Sequence, residues 1–310
     1  MFCSTIIPTI GRPTLSRAVE SLLQQDIPDN DYEIIIVNDS GTDLTEGDWQ
    51  RHERLKVIST NCRERSVARN TGAALAKGNY LHFLDDDDWL TPGALRRFYE
   101  LSQKTSTGWL YGSSQLVDQH GRSLIRLEHG LQGNCFIQVL AGEWIPLQAS
   151  LIKTQAFFDV GGFNPRLAGP EDIDLLRRIS LTEDLAGFTE VAAYLVRNDP
   201  NTTTDYARHP ELSRLAREEI LDKPAVFNRM WASASSGYWR GRVVRAYTTS
   251  VVWNLLHERA FTAASRAVYG LVGLGLSGRH IFSEAFWRAI AHPYTSETFA
   301  RGLQEAGMIP

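Results

Sequence analysis

The chain has 310 residues, of which 43% are hydrophobic and 22% are charged, and its formal net charge is −4. These values are typical of a globular protein with one large domain and an appendage, and they exclude a mainly disordered chain. Because the chain is acidic overall and carries no recognised nucleic-acid motif, we expect no nucleic-acid partner.

Strand and helix patterns alternate through the first part of the chain. Leu15, Val19 and Leu22 recur at helical spacing, and residues 67–76 form an alanine-rich helical segment. Apolar runs of strand length lie around them: Cys3–Ile7, Tyr32–Val37, Leu55–Ser59 and Tyr80–Leu84. This alternation predicts an α/β fold with a doubly wound, mostly parallel sheet.

The pattern changes after Pro92. A helix is expected to about Lys104, and a turn at Asp118–Gly121 predicts a hairpin. Further strands are expected near residues 109–116, 147–152 and 192–197. From about residue 211 the strand patterns give way to arginine-punctuated, aromatic-rich helices. We therefore predict an α/β domain over residues 1–210 and a helical region over residues 211–310.

Four consecutive carboxylates, Asp85–Asp88, follow the strand-like run Tyr80–Leu84. The carboxyl edge of a parallel sheet is where ligands bind in open α/β folds. Like charges at this density require solvation, protonation or a cation, and carboxylate oxygens suit Mg²⁺ or Mn²⁺. The alternative is that Asp88 or Thr91 caps the helix begun by Pro92 and the other carboxylates form a solvated turn.

Cellular location is indicated by two segments. Residues 267–276, the longest apolar run, are far fewer than the roughly twenty needed to cross a bilayer. Residues 1–3 lead directly into a strand pattern, so we expect no signal peptide and a cytoplasmic protein.

Five segments together carry a family resemblance: Ser4–Pro13, Glu33–Asp39, Ala68–Gly72, Phe83–Asp88 and Glu171–Leu175. In this order they resemble glycosyltransferase family 2, which has the GT-A fold, over roughly residues 2–205. The resemblance implies a nucleotide-sugar-binding and catalytic domain over residues 1–210. It also implies transfer of a sugar from a nucleotide-diphosphate donor to an acceptor hydroxyl, with Mn²⁺ or Mg²⁺ and with inversion. A UDP-sugar is favoured because uridine is common in the family.

The resemblance also implies which residues hold the donor. Pro8 and Thr9 match the strand end that lines the nucleotide, and Asp39 matches the acid that accepts a hydrogen bond from the base. Asp39 could instead form a turn with its own backbone. The other predicted donor contacts are Arg12, Asn61, Arg69, Asp85 and Asp86. For Arg69 the alternative is a solvated helix face with an ion pair to a nearby acid.

The family's DxD element corresponds to residues 85–87. It implies that Asp87 is the first metal ligand and that Asp85 and Asp86 face the ribose or the water shell of the metal. Asp85 is also a predicted metal ligand. We expect Asp88 to cap the next helix. Where many family members have a metal-binding histidine, this chain has Asp199, and the alternatives are Asn198, His209 or no third protein ligand.

Glu171 and Asp172 open an expected helix after Gly169 and Pro170. In the family the second acid is the general base, which here is Asp172, while Glu171 orients an acceptor hydroxyl or supports the loop. We expect the helix start to lower the pKa of Asp172. The alternative is a plain acidic first turn that stabilises the helix dipole.

Residues 228–292 contain eight arginines, two glutamates and no other residue charged at neutral pH, a net charge of +6, together with four tryptophans. Such helices can contact an anionic membrane from the cytoplasmic side, which suits a lipid-linked acceptor as well as another glycan hydroxyl. The alternative is packing that buries the indoles, with formation of a homodimer.

Two other functions have sequence requirements that can be compared with this chain. A sugar nucleotidylyltransferase needs a glycine-rich phosphate loop with a following lysine after the first strand, and residues 8–12 lack it. A catalytically silent sugar-binding protein has no need for both the acidic run and the acidic pair at 171–172.

Overall fold

The structure is a computed structural model that describes residues 1–28, 31–45, 47–60, 62–197 and 209–307. Contacts divide the chain into a sheet unit (1–133, 145–213 and from 298 onward) and a helical unit (134–144 and 214–297). Residues 134–144, which precede the predicted boundary at 210, thus pack with the helical unit, whereas the last helix packs with the sheet unit.

Nine strands form one sheet in the sheet unit. They are β1 (Cys3–Thr9), β2 (Tyr32–Asn38), β3 (Leu55–Ser59), β4 (Tyr80–Phe83), β5 (Trp89–Leu90), β6 (Trp109–Val117), β7 (Ser123–Leu127), β8 (Ser150–Lys153) and β9 (Leu185–Val196). Their order is β3-β2-β1-β4-β8-β6-β9-β5, and β7 pairs with β6.

The predicted α/β architecture is confirmed, and the sheet is mixed. Strands β1 to β4 are parallel neighbours, as expected for alternating strands and helices. Strand β8 runs antiparallel to both β4 and β6, and β5 runs antiparallel to β9. The predicted hairpin at 118–121 joins β6 to β7, which must be antiparallel because the connection is short.

The helices, in chain order, are α1 (Leu15–Leu23), α2 (Arg65–Leu75), α3 (Ala94–Ser102), α4 (Phe136–Ala141), α5 (Thr154–Asp159), α6 (Glu171–Thr182), α7 (His209–Leu221), α8 (Val226–Ser233), α9 (Gly237–Leu256), α10 (Ala260–Leu276), α11 (Glu284–Ala291) and α12 (Glu297–Glu305). In the part of the chain that the structure describes, none combines the length and the apolar character needed to cross a bilayer.

Two features fix helix α2 beside β1: a capped first turn and a glycine at the contact. The Glu64 carboxylate accepts hydrogen bonds from the backbone N–H groups of Ser66 and Val67, which caps the helix. A Cβ atom on Gly72 would lie 2.5 Å from Cγ2 of Ile6, so only glycine allows this close approach. The packing brings Arg69, one turn earlier, to the carboxyl edge of the sheet.

Strand β4 is buried along its whole length and pairs with β1, so that Phe83 lies beside Ile6. The acidic run therefore leaves the sheet next to the end of β1. Because parallel strands end at one edge, Asp39 after β2 lies there too, and its backbone N–H donates to the Thr9 carbonyl at 2.8 Å.

Candidate functional site

The acidic run forms a tight carboxylate cluster. Asp85, Asp87 and Asp88 each offer an oxygen, and these oxygens all lie within 4.8 Å of one another. Burial, followed by the charges of Asp85 and Asp86, raises the pKa of Asp87 to about 6. Burial and then Asp87 raise the pKa of Asp88 well above its usual range. The cluster therefore carries negative charge that its neighbours do not fully offset.

Asp86 is fixed by residues at and just beyond the end of β1. The Thr9 hydroxyl donates to one carboxylate oxygen at 2.6 Å, and Arg12 donates to the other at 2.9 Å. The same Arg12 nitrogen lies 3.2 Å from Asp87. Thr9, Arg12 and Asp86 were all predicted to belong to the site, and the structure brings them together.

Asp85 is fixed from the opposite side by two buried donors. Arg69 lies 2.7 Å from one of its oxygens, and the Gln148 amide donates to the other at 2.6 Å. Burial alone would raise the pKa of Asp85, but Arg69, Arg65 and Gln148 together outweigh it and the pKa is lowered. Arg69 is itself buried. The alternative that it lies on a solvated helix face is therefore wrong, although the ion pair to a nearby acid is present.

Asp88 and Thr91 do not cap the next helix, contrary to both expectations. Asp88 is buried and accepts a hydrogen bond from the Val196 backbone N–H at 2.7 Å. The Thr91 hydroxyl donates to the Val191 carbonyl at 2.6 Å. Helix α3 instead begins after Gly93, which has a φ of 72° and no side chain with which to cap. Pairing of β5 with β9 draws both polar side chains toward the neighbouring strand.

Arg69 connects the acidic cluster to the start of α6. Its second nitrogen lies 3.0 Å from Glu171, whose carboxylate is also 3.4 Å from Arg65. The other Glu171 oxygen accepts from the Gly169 backbone N–H at 2.9 Å. The side chains of Arg69 and Glu171 are 4% and 2% exposed, so this is a buried ion pair that bridges residues far apart in sequence.

The pKa of Asp172 is shifted in the direction opposite to our expectation. Burial, followed by the charge of Glu171, raises its pKa to about 6, although Arg69 and the Ile173 backbone N–H act in the other direction. The predicted lowering by the helix start was wrong because desolvation and a like charge outweigh the helix end. Ile173 donates to one Asp172 oxygen at 2.7 Å.

Asp39 lies at the same edge, and its predicted alternative of a local turn is wrong. Its carboxylate accepts from the Thr60 hydroxyl at 2.6 Å, and Asn38 forms the turn by bonding Ser40 and Thr42. Burial raises the pKa of Asp39 despite this hydrogen bond. Pro8, the other predicted donor contact on this side, pairs in register with Val37.

Two predicted site residues, Asn61 and Asp199, lie outside the described residues, as does Asn198, and nothing is described of the His209 side chain. Two contributors were missed. Gln148 interrupts the mainly apolar run 145–152, and this interruption could have indicated a residue of the site. Arg17 donates to the Asp87 carbonyl at 2.9 Å and lies over the Trp89 ring, contacts that no local pattern indicates.

The cluster fits a divalent cation through some of its members. Mg²⁺ takes one or two carboxylates and keeps several waters. Both oxygens of Asp85 and of Asp86 accept short hydrogen bonds, whereas Asp87 accepts one longer side-chain hydrogen bond, from Arg12 at 3.2 Å. The Asp87 carboxylate therefore has more capacity left for a cation than those of Asp85 and Asp86.

Replacing Arg69 by methionine should lower the free energy of unfolding by about 3–5 kcal/mol, because Asp85 and Glu171 lose the cation that they share in a buried setting. The loss should shrink in acid: Arg69 lowers the pKa of Asp85, so its stabilisation is present at neutral pH and fades as Asp85 is protonated. Urea unfolding at neutral and acidic pH measures both effects.

Arg65→Met is the matched control for this change. Arg65 lies one turn earlier on the same helix and contacts the same Glu171 oxygen, but its side chain is 30% exposed. We expect a loss of no more than about 1 kcal/mol. Equal losses for the two variants would contradict the role given to Arg69.

Curated relatives match parts of the chain. A poly(ribitol-phosphate) β-N-acetylglucosaminyltransferase of Staphylococcus aureus is 33% identical over 127 residues, which cover 39% of this chain and 38% of that protein. A poly(ribitol-phosphate) β-glucosyltransferase of Bacillus spizizenii is 31% identical over 128 residues, 39% of this chain and 20% of that protein. The chain thus matches between a fifth and two fifths of the length of these two relatives.

A solved structure resembles the chain over most of its length. It is residues 1–349 of S. aureus TarS in complex with UDP-GlcNAc, with a TM-score of 0.61, and the match covers 89% of this chain and 91% of that one. At 17% identity this likeness concerns the fold, and it confirms the predicted GT-A type of architecture.

The family model described as Glycosyl transferase family 2 matches residues 4–165, just over half of the chain. This span includes β1 with Thr9, the acidic run and Gln148, although α6 lies beyond it. The match, the curated relatives and the fold agree with the resemblance found in the sequence. The chain therefore belongs to glycosyl transferase family 2.

Proposed function

We propose that this chain is a metal-dependent, inverting glycosyltransferase that moves a sugar from a UDP-sugar to an acceptor hydroxyl in glycan or polysaccharide synthesis. One observation carries the proposal: Arg69 joins Asp85 to Glu171, so the acidic run and the start of α6 meet although they are far apart in sequence. A donor-binding group and an acceptor-activating group must be adjacent for a single displacement.

The donor is held at the ends of β1 and β2. Asp39 accepts a hydrogen bond from the base, and Pro8 and Thr9 line the nucleotide. Arg12 lies beside Asp86 and Asp87 and is suited to contact the diphosphate, because a guanidinium binds phosphate oxygens well. The S. aureus TarS structure with UDP-GlcNAc supports a UDP-sugar as the donor.

A divalent cation, Mn²⁺ or Mg²⁺, would supply Lewis-acid stabilisation of the diphosphate leaving group. Asp87 is the proposed ligand, supported by Asp85, and Asp199 is a further proposed ligand. Arg69 and Gln148 fix the orientation of the Asp85 carboxylate within the cluster.

Asp172 is the proposed general base. With a pKa of about 6 it is mainly ionised at neutral pH and still basic enough to accept a proton, which is the range suited to this role. The Ile173 N–H binds one of its oxygens, and the other accepts the proton of the acceptor hydroxyl. Glu171, fixed by Arg69 and Gly169, positions the first turn of α6, which carries the base.

The acceptor is proposed to be a hydroxyl of a glycan or of a lipid-linked glycan at the cytoplasmic side of a membrane. A relative from Campylobacter jejuni, 34% identical over 127 residues, is a β-1,3-glucosyltransferase named for a GalNAc(5)-diNAcBac-PP-undecaprenol acceptor. The match covers 39% of that protein, so it supports the class of acceptor and not its identity.

A product assay with a panel of nucleotide sugars tests the function. With Mn²⁺ or Mg²⁺ present, a glycosyltransferase releases nucleoside diphosphate and transfers the sugar to an added acceptor. A nucleotidylyltransferase would instead release pyrophosphate when it is given a nucleoside triphosphate and a sugar 1-phosphate, and a silent binding protein would release neither product. A thermal-shift screen of nucleoside diphosphates with each metal should show stabilisation that grows with ligand concentration.

A further inference from the structure

The outer face of α10 is mainly apolar, with Ser265 as an exposed polar exception. Phe261, Val268 and Leu271 are 96%, 58% and 67% exposed, and they recur at the spacing of one helix face. The opposite face, which includes Ala263, Gly270 and Gly273, is buried. A helix that is apolar on both faces is expected in a core or at an interface, because an ordinary surface helix presents polar residues to water.

Exposed apolar residues also stand just before and just after the helix in the sequence. Leu256, at the end of α9, is 76% exposed, and Phe282, just beyond α10, is 86% exposed. We define the α10 surface as Leu256, Phe261, Val268, Leu271, Leu276 and Phe282. Single exposed apolar residues are common, but such a row on one helix marks a site of interaction.

The charges around this surface are mainly positive. Residues 256–282 contain three arginines and one carboxylate, Glu258. Arg266 faces inward and pairs with Asp222, whereas Arg259 and Arg279 are exposed at the two ends of the helix. Glu258 is exposed beside Arg259, and Glu284 is exposed two residues beyond Phe282.

The wider charge balance favours one kind of occupant. Residues 228–292 carry a net charge of +6, which favours an anionic occupant over a second, equally charged copy of this region. An anionic lipid surface attracts both arginines and accepts the apolar row. The nearly fully exposed rings of Phe261, in the first turn of α10, and of Phe282, beyond its end, are also suited to insertion at the level of the lipid headgroups.

We propose that the α10 surface binds an anionic lipid membrane, with α10 lying in the plane of the interface and Phe261 and Phe282 inserted. At 17 residues the helix is about 25 Å long, so it lies on the bilayer and does not cross it. The proposal does not depend on sugar transfer, because binding to vesicles is measured without substrate.

Sedimentation of the full chain with lipid vesicles tests the proposal. We expect the protein to pellet with vesicles of mixed phosphatidylcholine and phosphatidylglycerol and to remain in solution with phosphatidylcholine alone. The double change Phe261→Ser and Phe282→Ser should weaken binding by roughly 100-fold, at about tenfold for each ring removed from the interface. The double change Arg259→Gln and Arg279→Gln should weaken it by roughly 25-fold, and most strongly at low salt.

Phe158→Ser is the matched control, since Phe158 is a 48% exposed phenylalanine of the sheet unit. This variant should bind as the unchanged protein does, and circular dichroism checks that each variant is folded. Absence of binding to the mixed vesicles, or equal binding of the Phe261/Phe282 variant, would overturn the proposal. A dimer in analytical ultracentrifugation that Leu271→Asp dissociates would also overturn it, because a second copy would then cover the surface.

Discussion

Asp172→Asn should lower the rate of sugar transfer by about 10²–10⁴-fold, because an amide cannot accept the proton of the acceptor hydroxyl. Asparagine keeps the size of the side chain and can still accept the hydrogen bond from Ile173. Binding of nucleoside diphosphate and metal should therefore remain, and calorimetry on the variant measures it. The expected loss is in kcat, with little change in the affinity for the donor.

Asp174→Asn is the matched control for this prediction. Asp174 also lies in the first turn of α6, but it pairs with Arg178 at 2.6 Å and has no proposed part in the reaction. Its replacement should reduce stability and leave the rate for each folded molecule nearly unchanged. A rate for Asp172→Asn within about threefold of the unchanged enzyme, well inside the range for a general base, would falsify the assignment.

The pH dependence gives a second test of Asp172. Its pKa of about 6 in the folded state means that activity should rise as the pH increases through 6 and then level off. The raised pKa favours the protonated carboxyl in the fold, so the stability that this group contributes in acid is lost as the pH rises through 6. Asp172→Asn should thus raise the melting temperature above pH 6, with a smaller gain in acid.

Asp87→Asn should weaken the metal-dependent binding of nucleoside diphosphate by about 10²-fold or more, because a bound cation contributes several kcal/mol of charge stabilisation. Without metal, the variant and the unchanged protein should bind the nucleotide about equally. Isothermal titration of UDP with Mn²⁺, with and without chelator, measures the difference. The variant should also be more stable above pH 6, because it removes a carboxylate whose ionisation in the fold is unfavourable.

Asp26→Asn is the control for metal binding, since Asp26 forms an exposed ion pair with Arg96. Such a pair contributes little to stability, and the change should leave UDP binding as it is. If Asp87→Asn retained the full heat of metal-dependent binding, Asp87 would not be the ligand, and Asp85 or Asp88 would have to bind the metal instead.

The elements that carry the site could be predicted because each has a local cause. The buried run of β4 followed by four aspartates, and the acidic start of α6, are visible as patterns of a few residues. The pairing of these elements could not be predicted in the same way. Antiparallel insertion of β8 between β4 and β6 places Gln148 against Asp85, and that order of strands has no signature in any short segment.

The sequence by itself determined the family, the alternation of strands and helices, and the presence of carboxylates at the sheet edge, because periodicity and motif order are properties of neighbouring residues. Only the tertiary structure decided the electrostatic state of those carboxylates. Asp85 has a lowered pKa and Asp172 a raised one, although both are aspartates near buried arginines. The difference arises because burial and the contacts of Arg69 depend on distances between residues remote in the chain.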